Sequence, residues 1–379
     1  MTMIPFNRPF LAGGEVAALQ AALASRRWSG DGEGTRRASR LLEAATGARR
    51  ALLTTSCTHA LEMAALLLDI GPGDQVIVPT FTFVSTANAF ALRGAEIVFV
   101  DSRPDTLNLD EQQVAAKITR RTRAIVPVHY GGVACAMDVL TELAAGCGAS
   151  LVEDNAHGLF GRWRGKPLGS LGRLATQSFH ETKNVTCGEG GALLINDPEL
   201  IDRAEIMREK GTNRSRFFRG EVDKYTWVDL GSSWLPSDLL AAFLAAQLEA
   251  APAIQAARQR VWSTYARELA PWAERHGVVL PTVPDGCEQP AHLFYLRVRS
   301  LEQRTALLAH LKERGVGATF HYLPLHLSEY GARWGGRAGD CPVAELAADT
   351  LVRLPLYPEL DGSDLARVVD AVLAFTPGP

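Results

Sequence analysis

Between residues 50 and 200, short apolar runs alternate with segments whose apolar residues recur at helical spacing. Residues 51–55 read as a strand, and after it Leu61, Ala65 and Leu68 fall on one face of a helix over about 58–69. Gly71-Pro72-Gly73-Asp74 marks a turn. Further strands are predicted at 75–78, 96–101, 124–129, 150–154, 174–179 and 192–196. Runs rich in Val, Ile and Leu, separated by helices, indicate strands buried on both faces. The pattern therefore predicts an α/β fold, with a large, mostly parallel sheet and helices on both sides. From about 237 to 270 the chain becomes an Ala/Leu-rich helical stretch. Beyond it, strands at 291–298 and 318–321 mix with helices near 303–313 and 364–375. Two domains are expected: a large one over 1–250 and a smaller C-terminal α+β domain over 251–379.

The chain has 379 residues, 47% hydrophobic and 21% charged, with a net charge of −3. These values suit a globular enzyme and give no reason to expect nucleic acid or a membrane surface as a partner. The six cysteines show no CxxC pair, so they read as reduced thiols, with neither a disulfide framework nor a metal site. The opening MTMIPFNRPF lacks a basic stretch followed by an apolar one, so a cytoplasmic location is expected.

In parallel α/β sheets, ligands bind at the carboxyl ends of the strands, and four polar features fall there. Ser56-Cys57-Thr58 opens a helix, where hydroxyls and free amides favour an anion, although Ser56 or Thr58 could serve as an N-cap alone. Asp154 ends an apolar strand, where a buried carboxylate needs a cation such as a protonated pyridine nitrogen. His157 follows three residues later, placed to bond a cofactor oxygen or to pack. Ser178 and Lys183 follow the 174–179 strand, and partial burial would lower the lysine pKa toward the free amine that attacks a carbonyl. Gly188-Glu189-Gly190-Gly191 then allows close backbone approach. Phe83, after another strand, could stack on a flat heterocycle or belong to the core.

The segments TTSCTHALE (54–62), PTFTFVSTANA (79–89), VEDNAHG (152–158), SFHETKN (178–184) and GEGG (188–191) resemble the DegT-like nucleotide-sugar aminotransferases, which are fold-type I enzymes dependent on pyridoxal phosphate. The resemblance implies that Lys183 carries the cofactor and moves the proton, that Asp154 pairs with the pyridine nitrogen, and that His157 sits by the ring oxygen. It implies a phosphate held by Ser178 and the Ser56–Thr58 amides, with Phe83 on the ring. The cofactor would cycle between pyridoxal and pyridoxamine phosphate, with L-glutamate and a nucleotide-linked keto-sugar as substrates. A homodimer with shared active sites is implied as well. Two departures stand out: Asn155, where alanine is common, and Leu235, where many relatives carry an asparagine that reaches the neighbouring phosphate. Ser232 or Ser233 could stand in for that asparagine.

Stretches such as VIVPTFTFVSTANAF, REKGTNRSRFFRGEVDKYTW and HYLPLH resemble the subgroup that aminates C4 of a dTDP-linked keto-sugar. Arg214, Arg219, Lys224, Tyr225 and Trp227 interleave basic and aromatic side chains suited to a diphosphate and a pyrimidine. His321 and His326 are candidates near the sugar, with packing inside the small domain as the alternative. Other members act on UDP- or GDP-linked sugars or at C3. Family dehydratases carry histidine in place of the lysine, and Lys183 argues against them. A regulatory protein that binds the cofactor without turnover would be marked by a fused DNA-binding domain, which is not visible here. An oxidoreductase would want GxGxxG where this chain has SCTHA.

Overall fold

The computed structural model describes residues 2–378. β1 (Arg50–Thr54), β2 (Gln75–Pro79), β3 (Glu96–Val100), β4 (Thr122–Ile125), β5 (Ser150–Asp154), β6 (Leu174–Ser178) and β7 (Gly191–Ile195) form one sheet. Their order is β1-β7-β6-β5-β4-β2-β3, and β7 alone runs antiparallel to its neighbours. Every residue of β2, β6 and β7 is buried, because helices cover both faces. Alternation along each strand divides the core between those faces. Leu52, Leu193 and Ile195 pack with Leu61 and Met63 of the helix Cys57–Leu67. Ala51, Leu53, Ala192 and Leu194 pack with Leu42, Leu244 and Ala245 from the helices Glu33–Thr46 and Asp238–Glu249.

A second core joins Ile4 to residues between Val261 and Phe375. It is built on an antiparallel pair, β8 (Phe294–Arg297) and β9 (Leu351–Leu354). The helices Ala251–His276, Leu301–Glu313 and Gly362–Leu373 supply the remaining apolar side chains.

Three expectations are corrected. The helical stretch over 237–270 is two helices, Asp238–Glu249 and Ala251–His276, bent by 63°. Pro252 stands in the first turn of the second, where it lacks the N–H needed to continue the first. The predicted strand 318–321 is a single bridge from Thr319 to Arg353. The predicted 291–298 strand shortens to β8, because Ala291 adopts a left-handed φ of 50°. The helices Glu15–Ser25 and Glu33–Thr46 had no counterpart in the sequence reading. No single described helix is long and apolar enough to cross a membrane.

Candidate active site

The carboxyl ends of β1, β2, β5 and β6 meet at one edge of the sheet, where the antiparallel β7 begins. Gly191 pairs with both Thr54 and Ser178. A Cβ there would fall 2.3 Å from the Ser56 carbonyl carbon and 2.4 Å from the Cys57 nitrogen. Only glycine lets the β1–helix turn lie this close. A cavity of about 520 Å³ opens at this edge, lined by Ser56, Asp154, His157, Ser178 and Lys183, with Arg353 entering from β9.

Ser56 is the N-cap of the helix Cys57–Leu67, its Oγ accepting from the His59 amide at 3.1 Å. The first-turn amides of Cys57 and Thr58 are left for an anion. The Thr58 hydroxyl bonds Ser85 at 2.7 Å and ties the turn to the helix Ser85–Ala91 that follows β2. Burial pushes the Cys57 thiol well up, so it stays protonated.

Glu153 and Asp154 diverge because consecutive strand residues face opposite ways. Glu153 is fully buried, bonded to His129 at 2.9 Å and to the amides of Gly169, Leu171 and Gly172 at 2.9, 2.7 and 2.7 Å. Its task is to hold the loop after β5. Asp154 faces the cavity, accepting from Thr86 Oγ1 at 2.7 Å and from the Ala156 amide at 3.2 Å. Burial raises its pKa despite these donors. Among the described residues it makes no ion pair with a side chain, so its position calls for a cation inside the cavity.

Desolvation brings the Lys183 amine down to about 8, against the opposing pull of Cys57 and Asp154. Burial also keeps His157 neutral. Its Nδ1 accepts from the Gly131 amide at 3.3 Å, so the ring proton sits on Nε2. The His157 ring stacks on His292 at 4.3 Å with planes 27° apart. His292 Nδ1 donates to Asn184 Oδ1 at 2.9 Å, and Asn184 Nδ2 donates to the Pro290 carbonyl at 2.7 Å. The residue after Lys183 is thereby anchored to the chain entering β8.

Of the other predicted residues, Phe83 stands at the cavity mouth, 59% exposed, and His321 lines the wall. His326 does not. It is buried between Thr80 at 2.7 Å and Glu345 at 3.1 Å, which uses both ring nitrogens. Arg214, Arg219, Lys224, Tyr225 and Trp227 also lie outside this cavity within the chain. Arg214 pairs with Glu209 at 2.9 Å and Arg219 with Glu205 at 2.8 Å, while Tyr225 and Trp227 are exposed. Asn155 finds partners in the Leu168 carbonyl at 3.2 Å and Gln177 at 3.0 Å. Leu235 packs over Gly30, and Ser232 and Ser233 are exposed. Thr86, His292, Tyr322 and Arg353 were not singled out in the sequence. For Arg353 the signal was there: a lone charge inside the apolar run Leu351-Val352-Arg353-Leu354-Pro355-Leu356.

The donor set fits pyridoxal phosphate: helix amides and hydroxyls for the phosphate, an unpaired buried carboxylate for the pyridinium, and a desolvated lysine. The DegT/DnrJ/EryC1/StrS aminotransferase family model matches residues 11–373. The spore coat polysaccharide biosynthesis protein SpsC of Bacillus subtilis is 31% identical over 383 residues, 99% of this chain and 97% of that protein. The aminotransferase TlmJ from Streptoalloteichus hindustanus superposes with a TM-score of 0.89 at 32% identity, covering 98% of each chain. Spr1654 from Streptococcus pneumoniae, described as a sugar aminotransferase, has been solved in PLP and PMP forms. The PMP form superposes with a TM-score of 0.90 at 26% identity, over 97% of this chain and 98% of that one.

Proposed function

The chain belongs to the DegT/DnrJ/EryC1/StrS aminotransferase family, and from that premise we propose the reaction it performs. It is a pyridoxal-phosphate-dependent sugar aminotransferase. It moves the amino group of L-glutamate to C4 of dTDP-4-dehydro-6-deoxy-D-glucose, releasing 2-oxoglutarate and dTDP-4-amino-4,6-dideoxy-D-galactose for surface polysaccharide. The observation that carries the reading is a lysine poised near pKa 8 in the same cavity as a buried carboxylate that no side chain ion-pairs among the described residues. The quoted sequence stretches support the dTDP sugar, and the likeness to SpsC supports a polysaccharide destination.

When bound, the cofactor supplies an electrophilic carbon and an electron-withdrawing ring. Lys183 acts as nucleophile and then shuttles one proton, which its depressed pKa allows near neutral pH. Asp154 holds positive charge on the pyridine nitrogen, with Thr86 fixing the carboxylate. His157, with its proton on Nε2, would donate to the ring oxygen. Ser178, Thr58 and the first-turn amides would hold the phosphate, and Phe83 would stack on the ring. The cofactor-binding domain is assigned to 1–250 and the smaller one to 251–379, with the segment around Ile4 packing into the smaller domain's core.

The protein acts as a cytoplasmic homodimer in which the segment carrying Arg214, Arg219, Lys224, Tyr225 and Trp227 reaches the partner's cavity. Support comes from the exposed Phe218, Tyr225, Trp227 and Leu230, at 70%, 52%, 74% and 56% exposure, an apolar stretch that calls for a cover.

The test is to incubate holoenzyme with L-glutamate and the dTDP-, UDP- or GDP-linked keto-sugar and identify products by NMR. A 4-amino-4,6-dideoxygalactose formed only from the dTDP sugar is expected. Amination of another sugar alone would discard the substrate, and the absence of any amination would discard the reaction.

A further inference from the structure

The proposed chemistry leaves one cavity-lining charge without a task. Arg353 enters from β9, between β8 and the bridge to Thr319. Its Nη1 donates to His321 Nε2, and its guanidinium carbon lies 4.8 Å from the centroid of the Phe6 ring. Its Nε is sealed from solvent and has no acceptor among the described residues. Desolvation pulls its pKa down, the phenols of Tyr130 and Tyr322 oppose that, and no carboxylate forms an ion pair with it among the described residues. A guanidinium offers donors only, so His321 must accept at Nε2. Its remaining proton is then on Nδ1, directed to the Tyr130 hydroxyl at 3.0 Å. Burial keeps His321 and Tyr130 uncharged. The guanidinium therefore faces the cavity with no carboxylate partner and with the cations Lys183 and Arg258 coupled to it, an arrangement that an incoming anion would complete.

We propose that Arg353 is the receptor for the carboxylate of the amino-acid donor. The inference rests on the aminotransferase reading. A donor amino acid carries its α-carboxylate on the carbon that bears the transferred nitrogen, so that carboxylate must lie within the cavity that holds Lys183. The diphosphate of a nucleotide-sugar is separated from C4 by the sugar ring and would sit nearer the mouth. The planar fork of arginine matches a carboxylate with two parallel hydrogen bonds, and His321 with Phe6 fixes its orientation.

The experiment separates the two halves of the reaction. Glutarate, a dicarboxylate with no amine to transfer, is titrated into holoenzyme by calorimetry. Single-turnover rates are measured for L-glutamate with the pyridoxal form and for the keto-sugar with the pyridoxamine form. Arg353→Met is expected to weaken glutarate and to raise the glutamate concentration for half-maximal rate by about 10- to 100-fold. The sugar half-reaction should keep its rate, and Arg353→Lys should recover part of the glutamate loss. An equal loss in both half-reactions, or a loss confined to the sugar, overturns the proposal; the second pattern would assign Arg353 to the diphosphate. If wild-type enzyme transfers no amine from any amino acid, the aminotransferase reading fails, while glutarate binding that depends on Arg353 still supports the carboxylate receptor. If Arg353→Met does not fold, Arg353→Lys carries the same test, and unchanged glutarate affinity in that variant overturns the receptor.

Discussion

Thr86 donates its hydroxyl hydrogen to Oδ2 of Asp154 across 2.7 Å, and Thr82 Oγ1 lies 2.9 Å from Thr86 Oγ1. Thr86 has one hydrogen to give, so Thr82 must donate to it, and the two threonines form a relay ending on the carboxylate. Asp154→Asn keeps the shape of the site but removes the charge. It should retain cofactor and lose about 10²–10³-fold in kcat. Thr86→Val removes a donor that lowers an already raised pKa, so the acid limb of the kcat–pH profile should move to higher pH. Normal kinetics in Asp154→Asn would remove Asp154 from the pyridinium role.

Lys183 trades stability for reactivity. Its pKa falls from the ordinary 10.5 to about 8 through desolvation, a difference worth about 3 kcal/mol. At pH 7 the amine is charged in both the folded and unfolded chain, so the folded state bears the full cost of burying it. That cost fades as pH rises from about 8 toward 10.5, where the folded amine is neutral and the unfolded one still charged. Lys183→Met should therefore make the cofactor-free protein more stable by about 3 kcal/mol at pH 7, with the gain shrinking toward pH 10. The same variant should lose turnover and the visible absorbance of bound cofactor. Urea unfolding at several pH values reads the first effect, and an apoprotein destabilised at pH 7 would contradict it.

The large sheet was legible because both-face burial leaves unbroken apolar strands, and the strand-end rule then placed Asp154 and Lys183 together. What stayed hidden depends on chain closure over long separations. His292 and Arg353 reach the cavity from the second core, more than a hundred residues beyond Lys183, and no local spacing announces them. The strand end marked Asp154 and gave Glu153 no part, and the pleat sends Glu153 to His129 and Asp154 to the cavity. His326 failed as a cavity residue for a related reason: Thr80, distant along the chain, and Glu345, on the following helix, take up its ring.

That placement of His326 predicts a structural phenotype. Its Nδ1 bonds Thr80 and its Nε2 bonds Glu345, whose carboxyl, although partly desolvated, is held below the usual range by the Gly339 and Cys341 amides and by His326 itself. His326→Ala removes one hydrogen bond from each of these buried partners, with an expected cost of about 1–3 kcal/mol of folding stability. KM for the sugar should be unchanged. A raised KM at full stability would return His326 to the substrate site.

The basic and aromatic segment supplies the last prediction. Trp227 is 74% exposed and lies outside the cavity of its own chain. If it completes the cavity of a second copy, two inactive chains should rescue each other. One chain would carry Lys183→Ala and the other Lys224→Ala with Trp227→Ala. In a mixed dimer, one site combines both defects and the other combines the intact Lys183 with the intact segment. Random pairing places half of all dimers in the mixed form, so about a quarter of all sites should be active. Chains that build their sites alone would give no rescue at any mixing ratio, and that result would return the segment to the surface of its own subunit.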